Sequence, residues 1–381
     1  MKTAVLLQPP KIIFGNHAID QFVDDYARAG YRKLFLITAP EILPLIDKTI
    51  HNLGKIDIDL MIDTSVQKEP TIDMFTSILE KARKMKAEGV VGIGGGSVLD
   101  VAKLVAALLD GQQTIHEVFG TGNLRKRNIY LGCLPTTAGT GSEVSPNAIL
   151  LDTSDRLKKG AISPYLVPDV AYVDPLLTRT VPPAITAATG MDALIHCIEG
   201  YANKYAHPAV DTYALKGIEL IGQYLNIAVH HGNDNQARAN MALGSMYGGL
   251  CLGPVNTAAI HALAYPLGSI FQIPHGVSNA VLLPHVLRFN IESSPERYAK
   301  IARALGITDS GPDIQIALKG IEKIERMMID CKLPSRISEF NIPESEIDAL
   351  AESAMTVTRL LKNNLRKITL EDAIQIFRNA F

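Results

Sequence analysis

The sequence predicts an α/β protein in two parts, an N-terminal domain built on a parallel β-sheet and an all-helical C-terminal domain. In the first half of the chain, short apolar runs alternate with amphipathic segments of helical periodicity, a pattern typical of strands joined by crossover helices. In the second half, strand-like runs become scarce and helical segments follow one another. The length of 381 residues fits two domains of ordinary size.

The strands of the first half are predicted where apolar runs end at turn-forming residues. KLFLITA at 33–39 stops at Pro40, and IDIDLMID at 56–63 alternates like a half-buried strand. The amphipathic segment at 71–89 predicts a helix that stops at Gly89. Further strands are predicted at VVGIG (90–94), IYLGCLPT (129–136) and AYVD (171–174). Together these elements favour a parallel sheet covered by helices on both faces.

The change to a helical pattern follows LLTRTVPP at 176–183, which we interpret as the hinge between domains 1–180 and 181–381. Helical periodicity then continues from PAITAATGMDALIHCIEGY to the final LEDAIQIFRNAF. Within the first domain, SDRLKKG at 154–160 is interpreted as a charged turn or loop.

Composition excludes several classes of function. The formal net charge of −2 gives no global field that would attract nucleic acid or an acidic membrane. We expect no transmembrane helix, because no run approaches about 18 apolar residues, and no signal peptide, because two prolines end the short apolar start. The cysteines form no CxxC pair, so we expect them to be reduced in a cytoplasmic protein: Cys133, Cys197, Cys251 and Cys331.

Four residues of the second half form a candidate metal site, which we call the Asp/His cluster: Asp192, His196, His261 and His275. Asp192 and His196 stand four apart in a helical pattern, so their side chains lie on one helix face. The other two histidines lie in mostly apolar segments, where an imidazole is costly to bury unless its nitrogens are satisfied. One carboxylate and three imidazoles suit Fe(II), Zn(II), Mn(II) or Co(II). Hydrogen-bonded histidines without a metal would give the same pattern.

A glycine-rich turn joins the strand at 90–94 to the helix VLDVAKLVAALL. It consists of Gly94, Gly95, Gly96 and Ser97. Ser97 is predicted to cap the helix, with Asp100 as the acid of a capping box. Glycines at a helix N-terminus let a phosphate approach free N–H groups closely. A plain strand-to-helix turn would use glycines in the same way, so the turn alone leaves both interpretations open.

A second turn rich in small residues, PTTAGTGSEVSP at 135–146, follows the next predicted strand. Turns that follow neighbouring parallel strands meet at the carboxyl edge of the sheet, where nucleotides bind in open α/β folds. Lys158 or Lys159 could reach the same edge, or both could be solvated surface residues.

Several motifs together resemble those of the iron-containing, or type III, alcohol dehydrogenases. They are GGGSVLDVAK (94–103), PTTAGTGSEVS (135–145), GMDALIHCIEGY (190–201) and HALAYPLG with IPHGVSNAVLLPHV (261–286). The resemblance implies a Rossmann-like domain and a helical metal-binding domain, an arrangement shared with dehydroquinate synthase. It also implies a homodimer or a higher homo-oligomer.

The resemblance carries the family's functional residues onto this chain. It places the metal on the Asp/His cluster and the pyrophosphate of NAD or NADP on Gly95, Gly96 and Ser97, within the turn that starts at Gly94. It also implies nucleotide contacts from a further set of residues: Asp100, Thr136, Thr137, Thr140, Lys158 and Leu177.

Two positions depart from the family pattern. Tyr265 stands where many members have a second histidine that helps to relay the proton. With a reference pKa near 10 a tyrosine is a poor base at neutral pH, so Tyr265 either shapes the substrate pocket or only packs. His275 and Tyr265 remain the candidate catalytic residues. Ala39 stands where NAD-preferring members often have an acid, so acceptance of NADP is expected alongside NAD.

The predicted function is that of a metal-dependent NAD(P)-linked alcohol dehydrogenase or aldehyde reductase acting on small molecules. It would transfer hydride reversibly between an alcohol bound to Fe(II), or in its place Zn(II), and the nicotinamide C4. Three alternatives stay open. They are a hydroxyacid-oxoacid transhydrogenase, a lyase of the dehydroquinate-synthase type, and a non-catalytic metal-binding or filament protein.

Overall fold

A computed structural model describes residues 3–56, 58–67, 69–155 and 157–381. The chain forms two compact units. The first, which we call the α/β unit, contains Leu7–Thr137 and Gly141–Thr180. The second, the helical unit, contains Val181–Phe381 together with residues 138–140 and, near the N-terminus, residues 3–6.

The α/β unit alternates strands and helices along the chain, as predicted. Its elements are β1 (Lys11–Phe14), α1 (Ala18–Arg28), β2 (Lys33–Thr38), α2 (Leu43–Gly54), β3 (Asp59–Asp63), α3 (Ile72–Met85), β4 (Gly89–Gly94), α4 (Gly96–Leu108), α5 (Ile115–Val118), β5 (Gly120–Thr121), β6 (Tyr130–Pro135), β7 (Asn147–Asp152), β8 (Leu157–Ile162) and β9 (Val170–Val173).

The main sheet of this unit has the strand order β1-β9-β6-β4-β2-β3, and its described pairings are parallel. The predicted class, a parallel-sheet domain followed by a helical domain, is therefore confirmed. From β2 the chain first adds β3 on one side and then β4 on the other. The order of the strands thus reverses between β2 and β4, and ligands of open α/β sheets bind at such a point, beyond the carboxyl ends of the strands.

Two local predictions were wrong. Helix α3 ends at Met85, because Lys86 adopts a left-handed conformation (φ 57°) that stops it, and Gly89 is the first residue of β4. The segment 154–160 is a loop only at its start, since β8 pairs antiparallel with β7 in a second sheet of order β5-β8-β7. The charged residues of β8 hid this strand, because they give no apolar run.

The helical unit contains α6 (Pro183–Tyr201), α7 (Pro208–His230), α8 (Asn235–Leu252), α9 (Ala259–Phe271), α10 (His275–Asn290), α11 (Pro295–Ala304), α12 (Asp313–Asp330), α13 (Ile347–Met355), α14 (Thr358–Leu361) and α15 (Leu370–Asn379). In the described part of the chain, none of the helices combines the length and apolar character that a bilayer crossing requires. The four cysteines are buried and free.

Candidate metal centre and nucleotide-binding turn

Helix α6 supplies half of the Asp/His cluster. It begins at Pro183, a residue suited to the first turn because it lacks an N–H group that would stay unpaired there. Asp192, His196 and Glu199 follow one another at spacings of four and three, so they share one face of the helix. All three are buried, with at most 4% of each residue exposed.

The structure brings all four residues of the Asp/His cluster together within the helical unit. The His261 Nε2 atom lies 3.1 Å from His196 Nε2 and 3.6 Å from Asp192 Oδ1. His275 Nε2 lies 3.6 Å from the same carboxylate oxygen, and His196 Nε2 lies 4.0 Å from Asp192 Oδ2. Ligand atoms around one tetrahedral ion with bonds of about 2.1 Å stand about 3.4 Å apart. The ligand atoms of Asp192, His261 and His275 all lie within 4.8 Å of one another, which fits a shared ion, and His196 Nε2 lies beside this group.

Glu199 fixes the tautomer of His261. Its carboxylate accepts a hydrogen bond from His261 Nδ1 at 2.7 Å, so the proton of a neutral imidazole is on Nδ1 and the lone pair on Nε2 faces the cluster. The prediction from sequence missed Glu199. Its position seven residues after Asp192 on the same helix face was the available signal.

Asn279 is a second residue that the sequence prediction missed. It lies one helical turn after His275 on α10, and its amide donates to Asp192 Oδ1 at 2.7 Å. The same Nδ2 atom lies 3.2 Å from His275 Nε2. Asn279 is fully buried, and its hydrogen bond to Asp192 holds this carboxylate in place.

The electrostatics of the Asp/His cluster favour a cation. Burial would raise the pKa of Asp192, but the neighbouring imidazoles of His196 and His275 outweigh it and lower that pKa. Burial lowers the pKa of His196. Burial would also lower the pKa of His261, yet the carboxylates of Glu199 and Asp192 raise it to about 9. A divalent cation can supply the positive charge that these carboxylates otherwise draw from a proton, so the donor set fits a metal.

Tyr265 lies one turn after His261 on α9, with its ring centroid 6.5 Å from that of His275. Burial raises its pKa, although Arg359 acts in the opposite direction. A phenol with a raised pKa does not accept protons at neutral pH, so the structure does not favour Tyr265 as a base, and its role beside His275 stays a prediction.

In the α/β unit, the glycine-rich turn leads from β4 into α4. Gly95 is the N-cap residue and the helix begins at Gly96, so Ser97 lies inside the first turn and is not the cap. The predicted capping box was wrong, because the Asp100 carboxylate instead accepts from Ser142 Oγ at 2.5 Å and from the Ile149 backbone N–H at 3.0 Å. The N–H groups of this first turn remain the positive end of the helix dipole.

The glycines of the turn serve different purposes. A Cβ atom on Gly94 would lie 2.7 Å from the Val98 side chain, so glycine is required there for the strand to pack against α4. A Cβ on Gly95 would meet only Thr137, at an ordinary 3.5 Å. The chain itself does not crowd Gly95, and the missing side chain leaves room for a ligand beside the helix N-terminus. That space and the free N–H groups fit a phosphate.

The second small-residue turn lies beside the first. Its Thr136 is buried and donates a backbone hydrogen bond to Gly94 at 2.9 Å, and Thr137 adjoins Gly95. The structure thus brings the ends of β4 and β6 together. Thr140 is part of the segment 138–140, which belongs to the helical unit.

The two remaining predicted nucleotide contacts are buried in the α/β unit. The Lys158 side chain is only 6% exposed and forms an ion pair with Glu69 at 2.5 Å, so it is not a solvated surface lysine. Leu177 belongs to the hydrophobic core of this unit. Nucleotide contact by either residue stays a prediction.

Lys103 is a further residue to which the sequence prediction gave no role. It is fully buried, and its ammonium donates to the carbonyl oxygens of Ser142, Ser145 and Asn147 at 2.5–2.9 Å. It therefore ties α4 to the end of the second turn and to the first residue of β7. The motif GGGSVLDVAK contained the signal, since a lysine among alanines and leucines on an apolar helix must find partners.

Comparison with known proteins identifies the family of this fold and this site. The family model described as iron-containing alcohol dehydrogenase matches residues 9–175, and that of the Fe-containing alcohol dehydrogenase family, C-terminal, matches 186–381. Long-chain-alcohol dehydrogenase 1 of Geobacillus thermodenitrificans (strain NG80-2) is 38% identical over 100% of this chain and 98% of its own length. The NAD-dependent methanol dehydrogenase of Bacillus methanolicus is 31% identical over 98% of each. The crystal structure of a 1,3-propanediol oxidoreductase superposes with a TM-score of 0.95 at 33% identity, covering 100% of both chains.

Proposed function

The chain belongs to the iron-containing alcohol dehydrogenase family, and from this premise we propose that it interconverts a small alcohol and its aldehyde or ketone with NAD or NADP as the hydride carrier. The observation that carries the proposal is that Asp192, His261 and His275 meet at one point of the helical unit, with His196 beside them. A bound Fe(II) ion would supply Lewis acidity toward the substrate oxygen.

The residues of this chain have separate tasks in the proposal. The Asp/His cluster would hold the ion, with Glu199 and Asn279 orienting His261 and Asp192 through the hydrogen bonds described above. The 94–97 turn would bind the pyrophosphate with its backbone N–H groups. Tyr265 would limit the space next to His275, and so the shape of the alcohol that can enter.

Removal of the metal tests this proposal. We expect chelation to abolish activity, and Fe(II) to restore it better than Zn(II), with metal content measured on the same samples. We expect His261→Ala to lose the metal and nearly all turnover, since one of four ligands is gone. His51→Ala, an exposed residue of α2, is the matched control and should retain both. Full activity after exhaustive metal removal would contradict the proposal.

The choice of nicotinamide cofactor is tested at position 39. Ala39 follows the carboxyl end of β2, next to the point where the strand order reverses, and no carboxylate stands at this position to repel a 2′-phosphate. We expect measurable turnover with both NADH and NADPH. Ala39→Asp should raise the KM for NADPH at least tenfold while the KM for NADH changes little. Equal effects on both cofactors would show that position 39 does not face the 2′-position.

Two further expectations remain predictions. A homodimer or a higher homo-oligomer is expected from the family resemblance. A cytoplasmic location is expected from the four cysteines, which are free in the structure.

A further inference from the structure

Glu199 is a buried carboxylate that is not itself placed to bind the metal. Its two oxygens accept hydrogen bonds from three groups at the start of α9. These groups are His261 Nδ1 at 2.7 Å, the Ala258 backbone N–H at 2.9 Å and the Ile260 backbone N–H at 2.6 Å. Only 3% of the residue is exposed, so water does not compete for these bonds.

The backbone contacts of Glu199 anchor the first turn of α9. The first N–H groups of a helix have no partner within the helix, and the N-cap residue Ala258 has no side chain that could accept from them. Glu199 supplies the missing acceptor from another helix, and its negative charge is favoured at the positive end of the α9 dipole. Helix α6 thereby fixes the position of the turn that carries His261.

A neighbouring asparagine strengthens this anchor. Asn203, two residues after the end of α6, donates to the Glu199 carbonyl oxygen at 3.0 Å and to the Asn256 carbonyl oxygen at 3.1 Å. Asn363 donates to the carbonyl oxygen of Thr257 at 2.7 Å. The residues that lead into α9 are thus held by hydrogen bonds from both Asn203 and Asn363.

The side-chain contact of Glu199 decides which nitrogen of His261 can bind a metal. A carboxylate accepts only, so Nδ1 must carry the proton. The Nε2 lone pair then faces His196 Nε2 at 3.1 Å and Asp192 Oδ1 at 3.6 Å. A donor in place of the carboxylate would favour the opposite tautomer, with a proton on Nε2 and no lone pair for a metal.

We propose that Glu199 is a positioning residue of the metal site, which sets both the place and the tautomer of His261 and so the affinity for the metal. The inference rests on the proposed function, because it assumes that the Asp/His cluster binds a divalent ion.

Glu199→Gln tests the proposal in the full-length protein, with Co(II) as the probe. Glutamine keeps the size of the side chain but offers an amide that can donate to His261 Nδ1. We expect Co(II) to bind roughly 10- to 100-fold more weakly, as measured by competition with a chromophoric chelator. Glu199→Asp keeps an acceptor and should fall between wild type and the glutamine variant. Glu292→Gln, with 74% of its side chain exposed, is the charge-matched control and should bind like wild type.

Thermal unfolding separates positioning from general stability. A purely structural role would lower the Tm of the metal-free and metal-loaded forms equally. Positioning predicts that the rise in Tm on adding Co(II) becomes smaller in the glutamine variant. Wild-type Co(II) affinity in folded Glu199→Gln, or in folded Glu199→Asp should the former not fold, would overturn the inference. Failure of the wild-type protein to bind Co(II) would instead overturn the proposed function.

Discussion

The glycines at 94 and 95 are adjacent, yet their contacts give them different tasks. Gly94 makes room for Val98 within the chain, whereas Gly95 leaves space that no described protein atom crowds. Gly95 is also in an extended conformation (φ −73°, ψ 178°) that any residue can adopt. Neither packing nor backbone conformation therefore requires glycine at this position, whereas the proposed phosphate site would use the space.

Alanine substitution of these two glycines should separate folding from nucleotide binding. Gly94→Ala forces a clash in a packed core and should destabilise the protein by about 1–3 kcal/mol. Gly95→Ala should leave stability unchanged or raise it by up to about 1 kcal/mol. It should nevertheless weaken NADH binding about tenfold, since losing one phosphate hydrogen bond costs about that much.

Chemical denaturation and NADH fluorescence titration measure these two effects. Unchanged NADH affinity in Gly95→Ala would show that the phosphate does not bind at this turn.

Residue spacing explains what could be predicted of the site. The spacing of four between Asp192 and His196 predicted a shared helix face, and the same rule applied to Glu199 and Asn279 would have found both. The capping role of Ser97 was predicted wrongly because the helix begins two residues earlier than a cap at that position requires. The Asp100 carboxylate does not cap the helix, because it accepts hydrogen bonds from Ser142 and Ile149. Both residues lie more than forty positions further along the chain.

At the scale of elements, Lys103 links helix α4 to the segment 142–147. Burial lowers its pKa, while Asp100 acts in the opposite direction. The ammonium donates hydrogen bonds to three backbone carbonyl oxygens of this segment, those of Ser142, Ser145 and Asn147. The segment that it holds includes the end of the second small-residue turn, so Lys103 would support the proposed nucleotide site.

Lys103→Met should destabilise the α/β unit by about 1–3 kcal/mol for each buried acceptor left unpaired. It should also make the 142–147 segment more accessible to limited proteolysis and raise the Kd for NADH. Lys84→Met, at an exposed position of α3, is the matched control. Wild-type proteolysis and stability in Lys103→Met would show that the carbonyl groups find other partners.

At the scale of the whole molecule, the two units have separate hydrophobic cores. One core is formed by residues between Ala18 and Leu177, and the other by residues between Ala187 and Ala380. The Asp/His cluster lies entirely within the helical unit. A metal ion would therefore cross-link α6, α9 and α10 without adding bonds to the sheet.

Metal removal should accordingly loosen one unit. We expect chelation to increase amide hydrogen exchange, measured by mass spectrometry, in peptides from α6 and the start of α9. Peptides from β2 and β4 should exchange at the same rate with and without metal. An equal increase in both units would contradict a metal site confined to the helical unit.

The sequence by itself determined the succession of strands and helices, the parallel sheet, and the residues of the Asp/His cluster as candidates, because apolar periodicity and short-range spacing are local properties. Only the tertiary structure decided that His261 and His275 meet α6, that Glu199 selects the tautomer of His261, and that Lys103 and Asp100 bind the segment 142–149. Those contacts join residues 39 to 87 positions apart, and their formation depends on how the helices pack, which no local pattern specifies.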